Sequence, residues 1–459
     1  MSVDTIITGG TLVSADTTVR ASLAIDDGTI VAVGALDALP EASRLVDATG
    51  QLVLPGVVDP HVHIDDHSSI DTYETATRAA ALGGVTTVVD FAWQGYVAPD
   101  SPWDEELTLQ EGVARKREKA ADALVDYGLH GGIMREDPAV FEELADLVDR
   151  GVTSFKMYTA YDFGVSNGFI GEVFDHLADL DAVGLVHTED DSVCEARTAR
   201  LRAAGRTDPE AYPAARPDYS EAVAADAVVR LAHEAGAKYY GVHTTCRKSA
   251  DVIARYREDG SRIRGETCTH YTTLTDAVYE RHGQLPVIAP PLRTEDDREA
   301  LFDALDAGVL SVVSSDHVAL TRDRKRDAPW WEGPFGANSL QRTLPVFYDE
   351  AVHRRGRSPS FVVRAMCTTP ARTFGMPTKG TLAPGTDADI VLFDPEAKRT
   401  IRAADNASRA DYSLYEGREV CGAVARTFVR GEPVAEGGAV VGEPGYGEFI
   451  HRERPDWSV

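Results

Sequence analysis

The sequence predicts an α/β fold: a (β/α)8 barrel of the TIM barrel type, with a smaller β domain formed by both ends of the chain. The central region alternates short apolar strands with amphipathic helical patterns, which is typical of βα units and a parallel sheet. Both ends instead alternate apolar and polar residues between turn dipeptides, as β-hairpins do. The length of 459 residues suits one large and one smaller domain.

The two terminal segments predict short strands joined by turns. The stretch "TIITGGTLVSADTTVRASLAIDDGTIVAVG" contains Gly-Gly and Asp-Gly turns, and the same pattern returns in "KGTLAPGTDADIVLFDP" and "AVARTFVRGEPVAEGGAVV". We therefore expect residues 1–53 and 377–459 to form one β domain with a C-terminal tail, and residues 54–376 to form the barrel.

Eight strand candidates lie between these terminal segments. Most precede a helical stretch, such as "TYETATRAAAL" or "TEDDREALFDALDA", whose apolar residues recur every three or four positions. An open doubly wound sheet is the competing fold, but the sequence contains neither a GxGxxG turn after the first strand nor a P-loop. In chain order, the candidates are "GVVDPHVHI", "VTTVVDF", "GLHGGI", "TSFKMY", "GLVHTE", "KYYGVHT", "IRGETCTH" and "VLSVVSSDH".

Composition excludes several classes of partner. A net charge of −28 argues against nucleic-acid binding, which requires a basic surface to displace counterions. No apolar run approaches the roughly 20 residues that span a bilayer, and the first residues do not resemble a signal peptide. The five cysteines have no CxxC spacing, so neither a disulfide framework nor a thiolate zinc site is indicated. We expect a cytoplasmic protein that acts on a small molecule.

Metal-binding side chains follow several of the predicted strands. His61 and His63 alternate along the first strand and therefore face the same side, while His187, His243 and Asp316 end the fifth, sixth and eighth strands. A single histidine in such a position is more often a packed or surface residue. Together, however, these side chains would meet at the carboxyl ends of the barrel strands, where barrel enzymes place their chemistry. Imidazole and carboxylate ligands suit zinc best, with manganese, iron, cobalt and nickel as alternatives.

Lys156 lies in the middle of the fourth predicted strand, in "GVTSFKMYTAY". A strand lysine often packs its methylenes against apolar surface and keeps its ammonium in water. The five other ligands are too many for one tetrahedral catalytic ion but fit two ions about 3.5 to 4 Å apart, which need an anionic bridge. A neutral amine that adds carbon dioxide becomes a carbamate, and burial beside cations favours the neutral amine. We therefore hypothesise that Lys156 is N6-carboxylysine.

Several motifs in order resemble the amidohydrolase superfamily, and most closely its dihydropyrimidinase/hydantoinase branch of cyclic amidases. The resemblance implies a binuclear metal centre in a (β/α)8 barrel, with a small β-sandwich domain formed by both chain ends. It also implies a homo-oligomer, a tetramer or a dimer, in which the tail "GYGEFIHRERPDWSV" crosses a subunit interface. The other motifs are "LPGVVDPHVHIDD", "GVTSFKMYTAY", "VHTEDD", "VHTTCRKSADVI", "GETCTHY", "PPLR", "SSDHV", "GTLAPGTDADIVLFDP" and "DYSLYEG".

The resemblance also implies roles for individual residues. Asp316 would act first as a general base and then as a general acid, and Tyr161 would stabilise the oxyanion, although a tyrosine there could simply pack. Allantoinase-like members usually lack this tyrosine. One ion would be held by His61, His63, carboxylated Lys156 and Asp316, and the other by Lys156, His187 and His243.

Two positions that would bind substrate depart from the family pattern. Ala289 stands where relatives often have serine before "PPLR", and Phe335-Gly336 stands where they show Asn-Gly. Ala289 and Gly336 would still contact substrate through backbone groups, but the side-chain contacts of relatives would change. The class of reaction is therefore better indicated than the identity of the substrate.

Three functions remain open at this point. The first is opening of a dihydropyrimidine or a 5-substituted hydantoin to an N-carbamoyl amino acid, and the second is opening of allantoin or another ureide or imide ring. The third is a non-catalytic scaffold of the kind that has lost metal ligands. Because all six ligand positions are filled, the scaffold is disfavoured.

Overall fold

A computed structural model describes residues 2–97, 103 and 105–457 of the chain. Its strands form three sheets, a parallel one from the middle of the chain and two from its terminal segments. In chain order the strands are β1 Val3–Thr8, β2 Thr11–Val13, β3 Thr18–Arg20, β4 Ser22–Asp26, β5 Thr29–Gly34, β6 Ala42–Asp47, β7 Leu52–Pro55, β8 Val57–His63, β9 Val85–Trp93, β10 Asp126–Gly132, β11 Ser154–Tyr158, β12 Val183–His187, β13 Lys238–Gly241, β14 Ile263–Cys268, β15 Val312–Ser314, β16 His317–Val318, β17 Ile390–Thr400, β18 Glu419–Val429, β19 Glu432–Glu436 and β20 Ala439–Val440.

Helices connect the strands of the parallel sheet, and further helices follow its last strand in the chain. Ser166 caps the helix between the fourth and fifth barrel strands through its hydroxyl, which accepts a hydrogen bond from the Phe169 amide. The α-helices are Tyr73–Leu82, Leu109–Lys119, Val140–Asp149, Asn167–Asp179, Asp191–Ala203, Tyr212–Ala215, Asp218–Ala235, Arg247–Glu258, Thr269–Thr273, Val278–His282, Glu295–Asp306, Arg322–Arg326, Thr343–Tyr348, Pro359–Val363 and Thr369–Thr373.

The parallel sheet curls and is consistent with a TIM barrel. Strands β8 to β15 pair side by side in chain order, and β16 pairs with β8. All eight predicted strand segments are present, but the eighth is interrupted at Ser315 and Asp316 and forms the two short strands β15 and β16. Every residue of β9 is buried, as expected for a parallel strand whose two faces are both covered.

The terminal segments supply the other two sheets. One has the strand order β5-β4-β1-β6, and the other has the order β20-β19-β18-β17-β7-β2-β3. Residues from both ends of the chain share one apolar core, in which Ile7, Leu23 and Val53 from the first segment pack with Ile390 and Phe428 from the second. The predicted association of the two chain ends is thus explained by burial of their apolar faces.

The segment that follows β20 lies against the barrel. Arg452 is fully buried there and donates hydrogen bonds to the Ser154 hydroxyl, at 2.9 Å, and to the Leu129 carbonyl. Lys238 donates to the carbonyl of Pro455. Residues 1, 458 and 459 of the predicted terminal domain lie outside the described residues.

The described part of the chain contains no helix that combines the length and apolarity needed to cross a membrane. Cys194, Cys246, Cys268 and Cys367 are buried and Cys421 is half-buried, and all five are free thiols.

Candidate active site

A cavity of about 140 Å³ at the carboxyl ends of the barrel strands brings together all nine predicted site residues. These residues come from six different strands or the loops that follow them, as expected for a barrel site. Aromatic and aliphatic side chains complete the wall, among them Tyr158, Phe163, Val318 and Phe335. The predicted residues that line the cavity are His61, His63, Lys156, Tyr161, His187, His243, Ala289, Asp316 and Gly336.

The first cluster in the cavity contains two histidines and one aspartate. Nε2 of His61 lies 3.2 Å from Oδ1 of Asp316, and Nε2 of His63 lies 3.4 Å from the same oxygen. Asp316 adopts a left-handed backbone with φ of 44° at the interruption of the eighth strand, a conformation uncommon outside glycine. Burial alone would raise the pKa of Asp316, but the neighbouring histidines hold it well below its usual range. Asp316 is therefore an ionised carboxylate facing two imidazoles.

The second cluster consists of His187 and His243. Nδ1 of His187 lies 2.9 Å from Nε2 of His243. Burial lowers the pKa of His187, and it lowers that of His243 well below the usual range. Both rings therefore remain neutral and can offer a nitrogen lone pair to a cation.

Lys156 lies in the same cavity and is buried. Its Nζ is 5.3 Å from the centre of the Phe91 ring and 5.0 Å from that of Tyr158. Burial lowers the pKa of the amine to about 8, although Asp316 and Glu266 oppose this shift. The amine is thus more readily neutral than that of a solvated lysine, which is the state that reacts with carbon dioxide.

Glu266 on β14 is a site residue that the sequence reasoning missed. Its carboxylate contacts Nδ1 of His61 at 2.5 Å, and it accepts hydrogen bonds from the Tyr240 hydroxyl at 2.8 Å and from the His243 amide at 3.1 Å. This contact turns Nε2 of His61 toward Asp316, as carboxylates behind metal-binding histidines commonly do. A buried glutamate within the predicted strand "IRGETCTH" was the available signal.

Glu189 and Arg216 were also missed. Glu189 Oε2 lies 3.0 Å from Nε2 of His187, so that Nδ1 of this ring faces His243. Burial would raise the pKa of Glu189, but Arg216 outweighs this effect and holds the pKa at about 2. Glu189 follows His187 by two residues, which indicates a shared side of an extended segment. Nothing in the sequence around Arg216 points to the site.

Tyr161 and Gly336 have backbone conformations that few residues adopt. Tyr161 is left-handed with φ of 73°, and its amide donates to Asp191 Oδ1 at 3.2 Å. Burial raises the pKa of the Tyr161 hydroxyl far above its usual value, so this hydroxyl remains a proton donor. Gly336 has φ of 147°, and a β-carbon there would come within 2.4 Å of Cβ of Val318. Glycine at this position keeps the backbone close to the cavity.

Cys268 and His270 form a further buried group with Asp316. Burial raises the pKa of the Cys268 thiol well above its usual value. Because the thiolate rather than the thiol binds metals, this group is a poorer cation site than His61, His63 and Asp316.

The donor atoms of the cavity fit divalent cations. Imidazole nitrogens and one carboxylate oxygen point toward each other in two neighbouring clusters. The outward nitrogens of His61 and His187 are each held by a buried carboxylate, which fixes the inward nitrogen as the free ligand. Such sets of nitrogen and oxygen donors suit zinc and related transition metals.

A protein-family model described as "Amidohydrolase family" matches residues 52–434, which is more than half of the chain. The chain belongs to the amidohydrolase family. Amidohydrolases typically bind a binuclear metal centre, and the clustered side chains of this amidohydrolase are candidate ligands for one.

Several known amidohydrolases are similar to this chain over nearly its full length. It is 37% identical over 466 residues to a D-hydantoinase of Ralstonia pickettii, covering 98% of this chain and 99% of that protein. It is 34% identical to an allantoinase of Rubrobacter xylanophilus, covering 98% of both. The solved structure of a dihydropyrimidinase from Brevibacillus agri matches with a TM-score of 0.92 and 32% identity, covering 98% of this chain and 99% of that one. These similarities confirm the resemblance found in the sequence motifs.

Proposed function

We propose that the protein is a metal-dependent hydrolase that opens a cyclic amide or imide, such as a dihydropyrimidine or a 5-substituted hydantoin, to an N-carbamoyl amino acid. The observation that carries this proposal is the convergence of four imidazoles, Lys156 and the Asp316 carboxylate on one cavity. The similarity to a D-hydantoinase and a dihydropyrimidinase supports the class of substrate.

The proposed cofactor is a pair of divalent metal ions, of which zinc best suits the ligands and manganese, iron, cobalt or nickel are alternatives. Bound ions would polarise the amide carbonyl and activate the attacking water. Lys156 is proposed to be carboxylated and to contribute to both ions. One ion would also be held by His61, His63 and Asp316, and the other by His187 and His243.

Two side chains are proposed to act on the reacting atoms. Asp316, which is ionised in the cavity, accepts a proton from the attacking water and delivers it to the leaving amide nitrogen. Tyr161 donates a hydrogen bond to the oxygen that becomes negatively charged in the tetrahedral intermediate. The backbone groups of Ala289 and Gly336, which line the same cavity, orient the ring.

Opening of allantoin or another ureide or imide ring is the alternative function. The allantoinase relative keeps it open, because its identity to this chain is close to that of the hydantoinases. Tyr161 favours the hydantoinase branch. The non-catalytic scaffold is disfavoured because every proposed ligand is present in the cavity.

We further propose that the two terminal sheets form a β-sandwich domain from residues 1–53 and 377–459, beside a barrel of residues 54–376. Their common apolar core supports this division. A cytoplasmic location and a homo-oligomeric state, dimer or tetramer, are proposed from the sequence.

A substrate panel tests the proposed function. Dihydrouracil, 5-substituted hydantoins, allantoin and related imides are offered to protein loaded with zinc or manganese, and ring opening is followed by the loss of ring absorbance. We expect turnover of a dihydropyrimidine or a hydantoin, and loss of turnover after treatment with a chelator. Protein with a full metal complement that opens none of these rings would refute the proposal.

Substituting Tyr161 with phenylalanine should lower kcat by about a hundredfold, because the oxyanion loses one preorganised donor. The ring and its packing are retained, so metal content and unfolding temperature should match those of the unmodified protein. Steady-state kinetics on the best substrate, with metal analysis of the same sample, measure both effects. An unchanged kcat would assign Tyr161 to packing alone.

A further inference from the structure

We propose that Arg216 is a positioning residue for the reaction, which holds Tyr161 and His187 in place through one guanidinium group. This inference rests on the proposed function and deepens it. Arg216 does not line the cavity. It therefore acts through the two neighbours and not on substrate.

One side of the guanidinium is fixed by Glu189. Nε of Arg216 lies 3.0 Å from both carboxylate oxygens, and Nη2 lies 2.6 Å from Oε2. The Arg216 side chain is 12% exposed and that of Glu189 is completely buried. The same oxygen, Oε2, contacts Nε2 of His187 at 3.0 Å. A single carboxylate therefore links the guanidinium to the imidazole whose other nitrogen faces His243.

The guanidinium also lies against two aromatic rings of the cavity wall. Its central carbon is 5.2 Å from the ring centre of Tyr161 and 5.2 Å from that of Phe335. The two rings are themselves 6.3 Å apart. Cation–π contacts of this kind strengthen as their groups are removed from water, and the Arg216 side chain is largely buried. Packing of this kind limits movement of the Tyr161 side chain, which lines the cavity.

Tyr161 needs such support because its backbone is strained. A left-handed conformation at a non-glycine residue persists only where the surroundings over-determine it. The Asp191 carboxylate holds its amide, and Arg216 packs against its ring. Phe335 supplies the second ring that the Arg216 guanidinium contacts.

Lysine cannot replace Arg216 in this arrangement. An ammonium can pair with Glu189, but it lacks the planar fork that binds both oxygens and stacks on rings. We expect Arg216→Lys to lower kcat and kcat/KM by similar factors of about tenfold, because the support matters chiefly in the transition state. A group that only stabilised the fold would change the unfolding temperature and leave kcat per folded molecule intact.

A double-mutant cycle separates positioning from structure. The variants are Arg216→Lys, Tyr161→Phe and their combination, assayed with protein loaded with zinc. If Arg216 acts in part through the Tyr161 hydroxyl, its substitution should cost about tenfold in the unmodified background and clearly less beside Tyr161→Phe, where only the link to His187 remains. Equal losses in both backgrounds would overturn the proposal.

Arg355→Lys is the matched control. Arg355 is 13% exposed, pairs with Glu299 at 2.6 Å and stacks on Phe302 at 3.8 Å, yet none of the three lines the cavity. Arg355→Lys loses the same kinds of contact as Arg216→Lys, namely a carboxylate pair and a contact with an aromatic ring. We expect it to lower the unfolding temperature without changing kcat. A tenfold drop in kcat for this control would show that the Arg216 effect is not specific.

Glu189→Gln gives a readout that does not depend on turnover. Titration of metal-free protein with zinc alone should show affinity for one ion weakened by about 10- to 100-fold, as for other partners of metal-binding histidines. Unchanged zinc affinity would show that Glu189 does not position His187 and would contradict that half of the proposal.

If both Arg216→Lys and Glu189→Gln fail to fold while Arg355→Lys folds, the Arg216–Glu189 pair serves stability and the proposal is wrong. Absence of turnover in the metal-loaded unmodified protein refutes the proposed function instead.

Discussion

Replacement of Lys156 with alanine is expected to abolish activity, by roughly a thousandfold or more, and to reduce bound metal by at least one ion per chain. The reason is electrostatic, since two dications held close together need an anion between them. Each 1.36 kcal/mol of lost transition-state stabilisation lowers the rate tenfold, so a loss of several kcal/mol lowers it by orders of magnitude. Metal analysis and turnover of the best cyclic amide measure the two effects. Acetate or propionate in the assay should restore part of the activity by occupying the vacated position.

Lys238→Met is a suitable control for this substitution. Lys238 is also fully buried on a barrel strand, but it pairs with Asp181 at 2.8 Å and does not line the cavity. It should retain the metal content and kcat of the unmodified protein, even if its unfolding temperature falls. A Lys156→Ala protein with full metal content and full activity would contradict carboxylation of Lys156.

Asp316→Asn should reduce kcat by about a thousandfold while the fold is retained. The amide cannot accept the proton of the attacking water, and it replaces an ionised carboxylate, the proposed ligand, that lies within 3.4 Å of both His61 and His63. Weaker binding of one ion is expected as well. Kinetics at saturating zinc distinguish the two causes. A defect caused by loss of the base persists at saturating zinc, whereas a defect caused by loss of metal is corrected by excess zinc.

Asp71→Asn provides the comparison for Asp316→Asn. Asp71 is buried and contacts a histidine, His317, at 2.9 Å, but it does not line the cavity. Its substitution should lower stability and leave kcat nearly unchanged. Full activity of Asp316→Asn at saturating zinc would contradict its role as general base.

Much of the parallel sheet and of the candidate site could be predicted from the sequence because both depend on local patterns. Strand alternation places His61 and His63 on one side, and parallel strands bring His187, His243 and Asp316 to one end of the sheet. The cavity contains all of them, together with Lys156. These predictions needed only the period of a strand and the direction of its neighbours.

The supporting carboxylates and Arg216 could not be predicted in the same way. Glu266 contacts His61 across 205 positions of sequence, and Arg216 reaches Glu189 from a loop whose sequence has no distinctive pattern. The interruption of the eighth strand and the left-handed backbone of Asp316 also depend on tertiary contacts. Such features are decided by which side chains meet after folding, not by the propensity of a single segment.

Arg452 bears on the order in which the molecule can be assembled during translation. Its partners Ser154 and Leu129, on the fourth and third barrel strands, precede it by 298 and 323 positions. At the usual pace of protein synthesis the ribosome needs roughly 15 to 60 seconds to make 298 residues. Throughout that interval the Ser154 hydroxyl and the Leu129 carbonyl lack the guanidinium that donates to them in the folded protein.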